Sequence, residues 1–165
     1  MLRDFNTGIS KDKKIRNRRK EDFHFINIDL ELASFDDLQP LIDELGESVL
    51  VLYSDKVPNL NEYWASLEIK DYDIYQSYDD KTQDIGGVDV LLSAFCDLLE
   101  NLSPQSQSLW KKCKKREFDV GFGCGNTEKS FHTQIRAETL KRVSELSANV
   151  LITVYPHLNY EIKTE

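Results

Sequence analysis

EFDVGFGCGNTEKSFHTQIRAETLKRVSELSANVLITVYP, residues 117–156, is the stretch whose reading decides the fold. It opens on a strand that sets Phe118, Val120, Phe122 and Cys124 on one side and Asp119, Gly121, Gly123 and Gly125 on the other. A glycine-rich turn follows. The spacing then predicts a helix over Arg136–Ser147 with Leu140, Val143 and Leu146 inward, and NVLITVY closes the stretch as a strand.

Upstream, the same reasoning gives alternating elements. In HFINIDLEL, Ile26, Ile28, Leu30 and Leu32 alternate with polar residues, the mark of a half-buried strand. ASFDDLQPLIDELGES predicts a helix of about three turns. Pro40 belongs in its first turn, Ser34, Asp36 and Asp37 are candidate caps, and Gly46 is the stop. Leu38, Leu41, Ile42 and Leu45 form its buried stripe. SVLVLY is more continuously apolar, so it is expected as a central strand or one covered on both faces. EYWASLEIK sets Tyr63, Ala65, Leu67 and Ile69 against Trp64, Ser66, Glu68 and Lys70, which puts a tryptophan on the polar side.

Residues 71–85 form an acidic, tyrosine-rich loop before a strongly amphipathic helix from Gly87 to Leu102. Ser103-Pro104 caps and opens a shorter helix, and its last turn is expected to be the basic KKCKKR. The order is strand–helix–strand–strand–helix–strand, then helix–strand. It predicts an α+β domain: a mixed sheet of about five strands with helices on one face, in a ferredoxin-like (split βαβ) arrangement plus an extra C-terminal helix and strand. ELGESVLVL and ELSANVLIT echo one another, each after a short amphipathic helix.

Charge is distributed unevenly. The 165 residues carry a net −8, yet residues 1–20 hold eight Lys/Arg and two Asp, whereas residues 21–105 hold three Lys against twenty Asp/Glu. The first twenty residues lack apolar periodicity and are expected to be a basic, flexible tail, with residues 21–165 as a single domain. Its Lys/Arg run could touch phosphates, but it has no interleaved aromatics and the body is acidic, which argues against nucleic acid. No apolar run approaches the roughly 18 residues of a membrane span, and no secretory signal is evident. Three cysteines without paired spacing fit free thiols, so a cytoplasmic location is expected.

Catalytic motifs fail on specific residues. GCGNTEKS ends like a phosphate loop, but Glu128 stands where glycine is required and would repel phosphate. DYDIYQSYDDKT has Gln76 and Thr82 where a calcium loop needs Gly and Glu. Cys113, Cys124, His24, His132 and His157 lack metal-ligand spacing, and Cys124 is expected on a buried strand face. No cofactor and no metal are expected.

One constellation remains. With the first strand between the third and fourth, the uncovered face collects Asp29, Glu31, Trp64, Glu68 and Asp119, with no lysine or histidine among them. Carboxylates around an exposed tryptophan suit a basic protein partner, and Tyr72, Tyr75 and Tyr78 of the next loop suit an interface. A solvated sheet face is the plain alternative.

Phe118-Asp119-Val120-Gly121-Phe122, Cys124-Gly125, Glu138-Thr139-Leu140, Leu146, Ala148 and the closing Val150–Pro156 resemble the bacterial family catalogued as domain of unknown function 4279. That resemblance implies a compact α+β domain and carries no catalytic residues. The expected function is a non-enzymatic protein-binding module, most concretely an immunity-type protein that neutralises a toxin, as a monomer or weak dimer. The alternatives are a small carboxylate- or metal-dependent enzyme using Asp29, Glu31, Glu68 and Asp119, and a ligand-sensing or structural domain.

Overall fold

The computed structural model describes residues 23–70, 87–125 and 130–156. Strand β1, His24–Ser34, lies at the centre of a five-stranded sheet. It pairs antiparallel with β3, Glu62–Ile69, on one side and with β4, Lys115–Gly123, on the other. Strand β2, Val49–Val57, extends the sheet antiparallel to β3, and β5, Asn149–Tyr155, extends it parallel to β4. The order β2-β3-β1-β4-β5 gives the mixed α+β sheet that the element order predicts, with the first strand between the third and fourth.

The helices are α1, Gln39–Leu45; α2, Gly87–Glu100; α3, Pro104–Lys112; and α4, Ala137–Glu145. Their buried residues join Ile28, Leu30 and Leu32 of β1 and Phe118, Val120 and Phe122 of β4 in one apolar core. The alternate residues of these strands, Asp29, Glu31, Glu117 and Asp119, stay half-exposed. One face of the sheet is therefore packed against helices, and among the described residues no element covers the other.

Local chemistry explains most element ends. Pro40 sits in the first turn of α1, where its missing N–H is harmless, and the Asp37 carboxylate accepts from the Gln39 N–H at 2.9 Å. This late start leaves α1 seven residues, two turns instead of three, before a 3-10 turn over Gly46–Ser48. Ser103 caps α3 through its hydroxyl, and Pro104 opens it. Buried Asp89 of α2 accepts from the Arg136 backbone N–H at 2.8 Å and from its Nε at 2.6 Å, so a neighbouring helix caps the start of α4. The Arg142 guanidinium then clamps α4 to α2 by a two-pronged contact with Glu100.

Five further expectations about these elements need correction. β2 is an edge strand, with Leu50, Val51, Leu52 and Tyr53 all exposed, although its apolar run reads like a covered one. Ile26 is 43% exposed because a bulge between Phe25 and Asn27 reverses the alternation and sends Phe25 inward against Phe122, with ring centroids 5.8 Å apart. In α4 the inward residues are Thr139 and Val143, with Leu146 partly buried, while Leu140 faces outward. Thr139 takes the inward place because its hydroxyl bonds Asp89. Helix α3 ends at Lys112, so Lys115 and Arg116 of the basic run begin β4 instead. Cys124 lies past the end of β4 and is partly exposed.

The echo between ELGESVLVL and ELSANVLIT has a structural counterpart. Gly46 and Ser147 occupy the same place in it, one residue beyond a buried or half-buried leucine, and their φ angles are +55° and +54°. Each turn feeds an edge strand, β2 in one case and β5 in the other. Glycine adopts this backbone without strain, but serine carries a Cβ that disfavours it. Ser147→Gly should therefore raise stability by about 0.5–1 kcal/mol, whereas Gly46→Ala should lower it by about 1 kcal/mol or more, both read from denaturant unfolding midpoints.

Candidate functional site: the open face of the sheet

The register of the strands lays the open face out in rows. Glu68 of β3, Asp29 of β1 and Asp119 of β4 lie side by side in one row. The next row is Ser66, Glu31 and Glu117; beyond it come Trp64, Ala33 and Lys115. All of the described candidates, Asp29, Glu31, Trp64, Glu68 and Asp119, thus share one surface. Tyr72, Tyr75 and Tyr78 lie outside the described residues, as do the basic N-terminal run and residues 126–129 of the glycine-rich turn.

Like charges directly opposite one another destabilise a sheet, so each row needs compensation. In the Glu31–Glu117 row the compensation is Lys115, whose Nζ lies 3.1 Å from Glu31 and 3.2 Å from Glu117. Desolvation works against this ammonium, but the hydrogen bonds to Glu31 and Glu117 outweigh it and hold its pKa above the ordinary lysine value. The same Nζ stands 5.4 Å from the centre of the Trp64 ring. Fully buried Ala33 separates Lys115 from Trp64 in the row, and its small side chain lets the two meet above it.

Lys115 corrects the expectation that no lysine joins these carboxylates. The signal was present in the sequence, since Lys115 shares the parity of Glu117 and Asp119, but the basic run reads as the end of a helix.

Trp64 is half-buried and held at its ring nitrogen, with Lys115 over its face. Its Nε1–H donates to Glu62 at 3.1 Å, and Lys114 forms an ion pair with the same carboxylate. The Lys114 hydrogen bond holds the Glu62 pKa below the usual value even though desolvation opposes it. The indole is a fixed platform, with less exposure than its place on a polar strand face suggests.

The Glu68–Asp29–Asp119 row is compensated differently. Asn27 donates from Nδ2 to Asp29 at 2.9 Å and also to Glu68, bridging the two. The Thr153 hydroxyl donates to Asp119 at 2.6 Å. Burial, then a hydrogen bond with Glu68, then the negative charges of Glu68, Asp119 and Glu31 push the Asp29 carboxyl up to about 7. A proton held by Asp29 relieves in this row the kind of repulsion that Lys115 relieves in the next.

Two glycines of β4 make room for this arrangement. A Cβ at Gly121 would stand 2.8 Å from Asn27 Oδ1, and one at Gly123 would stand 2.6 Å from the His24 imidazole. Alanine at position 121 would push Asn27 off the carboxylates it bridges.

Comparison with family models, curated proteins and solved structures returns no match for this chain.

Because Asp29 is raised, the folded chain binds more protons than the unfolded chain between about pH 4 and pH 7. Its contribution therefore lowers stability as pH rises through this window and levels off above it. Solvent reaches part of the group and screens the repulsion, so the effect is on the order of 1 kcal/mol. Asp29→Asn should stabilise the fold at pH 8 and do little at pH 4, measured as unfolding midpoints against pH.

Proposed function

We propose that this chain is a non-enzymatic protein-binding module whose open sheet face receives a basic protein. Its most concrete form is an immunity-type protein that sits in the cytoplasm and neutralises a toxin, such as a nuclease with a positively charged cleft. The observation that carries the reading is the open face. Five carboxylates, Glu31, Glu117, Glu68, Asp29 and Asp119, share a surface that the described helices leave uncovered; Lys115 pairs with the first two and sits over an indole braced by Glu62.

Such a surface steers a basic partner at long range and offers a rigid aromatic anchor at contact. Lys115 also gives it a means of rearrangement. An incoming arginine can pair with Glu31 or Glu117 and stack on Trp64, taking over the contacts that Lys115 makes in the free protein. Kinship with domain of unknown function 4279, carried by residues 117–156, belongs to the same proposal.

A second reading, a small carboxylate-dependent enzyme, draws support from one observation. Burial and the adjacent Glu68 push the Asp29 carboxyl up to about 7, a range in which a carboxyl can act as acid or base. The cleft of 390 Å³ lies elsewhere, between α1 and α3, where Asp37, Pro40, Ser106, Leu109 and Lys112 line it. That cleft is not bordered by the carboxylate row, which favours the binding reading.

Affinity capture with the tagged full chain from its native host at low salt should recover one basic protein in stoichiometric amount, released as salt is raised. Trp64→Ala should weaken that complex by about 2 kcal/mol, roughly 30-fold. Affinity should rise between pH 6 and pH 8 as Asp29 ionises. Recovery of no stoichiometric partner removes the reading.

A further inference from the structure

We propose that β5 is a self-association edge: two copies of this chain pair their β5 strands antiparallel about a two-fold axis at Ile152, joining two five-stranded sheets into one. This goes beyond the open-face reading and does not depend on it.

β5 is the last strand on its side of the sheet, so its outer backbone groups lack a strand partner among the described residues. Asn149–Tyr155 contains no charged residue, and Leu151, Ile152, Val154 and Tyr155 are 43%, 61%, 48% and 49% exposed. Soluble proteins ordinarily guard an edge with charges, bulges or short length. The opposite edge shows such guarding. β2 also exposes Leu50–Tyr53, but its register shifts between Val51 and Tyr53, and Asp55 and Lys56 follow in the same strand. β5 has neither device, and its register with β4 is unbroken.

The β5 sequence complements itself under a two-fold axis. Its alternation puts Val150, Ile152 and Val154 on the side of Phe118, Val120 and Phe122, and Leu151 and Thr153 on the side of Asp119 and Gly121. Antiparallel pairing centred on Ile152 sets that residue against its own copy and Val150 against Val154 of the second copy, all apolar on one side. On the open side it sets Leu151 against Thr153 and Asn149 against Tyr155. Pro156 lacks an N–H and falls just outside this ladder, so the seven residues of β5 define the frame. Antiparallel pairing of identical edges closes as a dimer, whereas pairing β5 with β2 of the next copy would be open-ended.

Charge does not oppose the contact. The two Asp119 residues would be three strand spacings apart and offset by two residues along the strand, about 16 Å in all. The screening length is about 8 Å at physiological salt, so the acidic faces barely repel one another. A single seven-residue edge belongs with interfaces below about 1,200 Å², and the dimer should accordingly dissociate on dilution.

Sedimentation velocity of the full chain from about 1 to 300 µM should show a reversible monomer–dimer equilibrium. Ile152→Lys, which brings two ammonium groups together at the axis, should weaken it at least tenfold while leaving the circular dichroism spectrum unchanged. Leu52→Lys on the other edge should leave it intact. Should the Ile152→Lys chain fail to fold, Ile152→Cys supplies the second test: mild oxidation should yield a dimer linked between the two 152 positions, identified by peptide mass spectrometry. A chain that stays monomeric throughout, a dimer that survives Ile152→Lys in a folded chain, loss of the dimer with Leu52→Lys, or absence of the 152–152 link overturns the proposal.

Discussion

The structure depends on the central position of β1. Ile28, Leu30 and Leu32 are wholly buried because β3 and β4 flank the strand and helices cover it. A period of two then forces Asp29 and Glu31 onto the opposite face. Burying three aliphatic side chains on one side contributes several kcal/mol, at roughly 1.5–3 kcal/mol each. Gathering carboxylates on the other side costs far less, provided that each row is compensated. The acidic face follows from the core as its other side.

Two forms of compensation then operate in adjacent rows. Lys115 neutralises Glu31 and Glu117 with a fixed positive charge, which persists across the physiological pH range. Asp29 relies on a proton and on the Asn27 bridge to Glu68, and the first of these weakens near neutrality. The face therefore has a constant part beside Trp64 and a titrating part beside Asp119. Gly121 and Gly123 belong to the same device, since side chains there would displace Asn27 and His24. These glycines first draw notice as neighbours of a failed phosphate loop. Their physical role is to leave room over the strand for side chains from β1.

Helices and strands were legible in the sequence wherever apolar period and capping chemistry agreed. The stripe of α2, the Pro104 start of α3 and the late start of α1 after Asp37 all rest on such local rules. Errors arose where a local pattern has two physical explanations. SVLVLY is as apolar as a covered strand, yet it is an edge; its side chains are open to solvent or to a partner. Leu140 looked more core-like than Thr139, but the Thr139 hydroxyl is matched by Asp89 from another helix. Ile26 continued the alternation on paper until a bulge removed it. In the candidate site, Asp29, Glu31, Trp64, Glu68 and Asp119 are placed together by parity and strand order; Lys115 shares that parity but reads as part of a helix end, and the bonds that Asn27, Glu62 and Thr153 make to these side chains depend on cross-strand register.

By itself the sequence determined the α+β class, the element order, the buried residues of β3, α2, β4 as far as Phe122 and β1 from Ile28 onward, and the parity that puts carboxylates on one sheet face. These are properties of neighbours along the chain, where spacing and side-chain chemistry suffice. Only the tertiary structure decided which strands are edges, how each carboxylate is compensated and why two glycines stand in β4. Those outcomes depend on cross-strand register, which joins residues as distant as Asn27 and Glu68, or Lys115 and Glu31, that no local period connects.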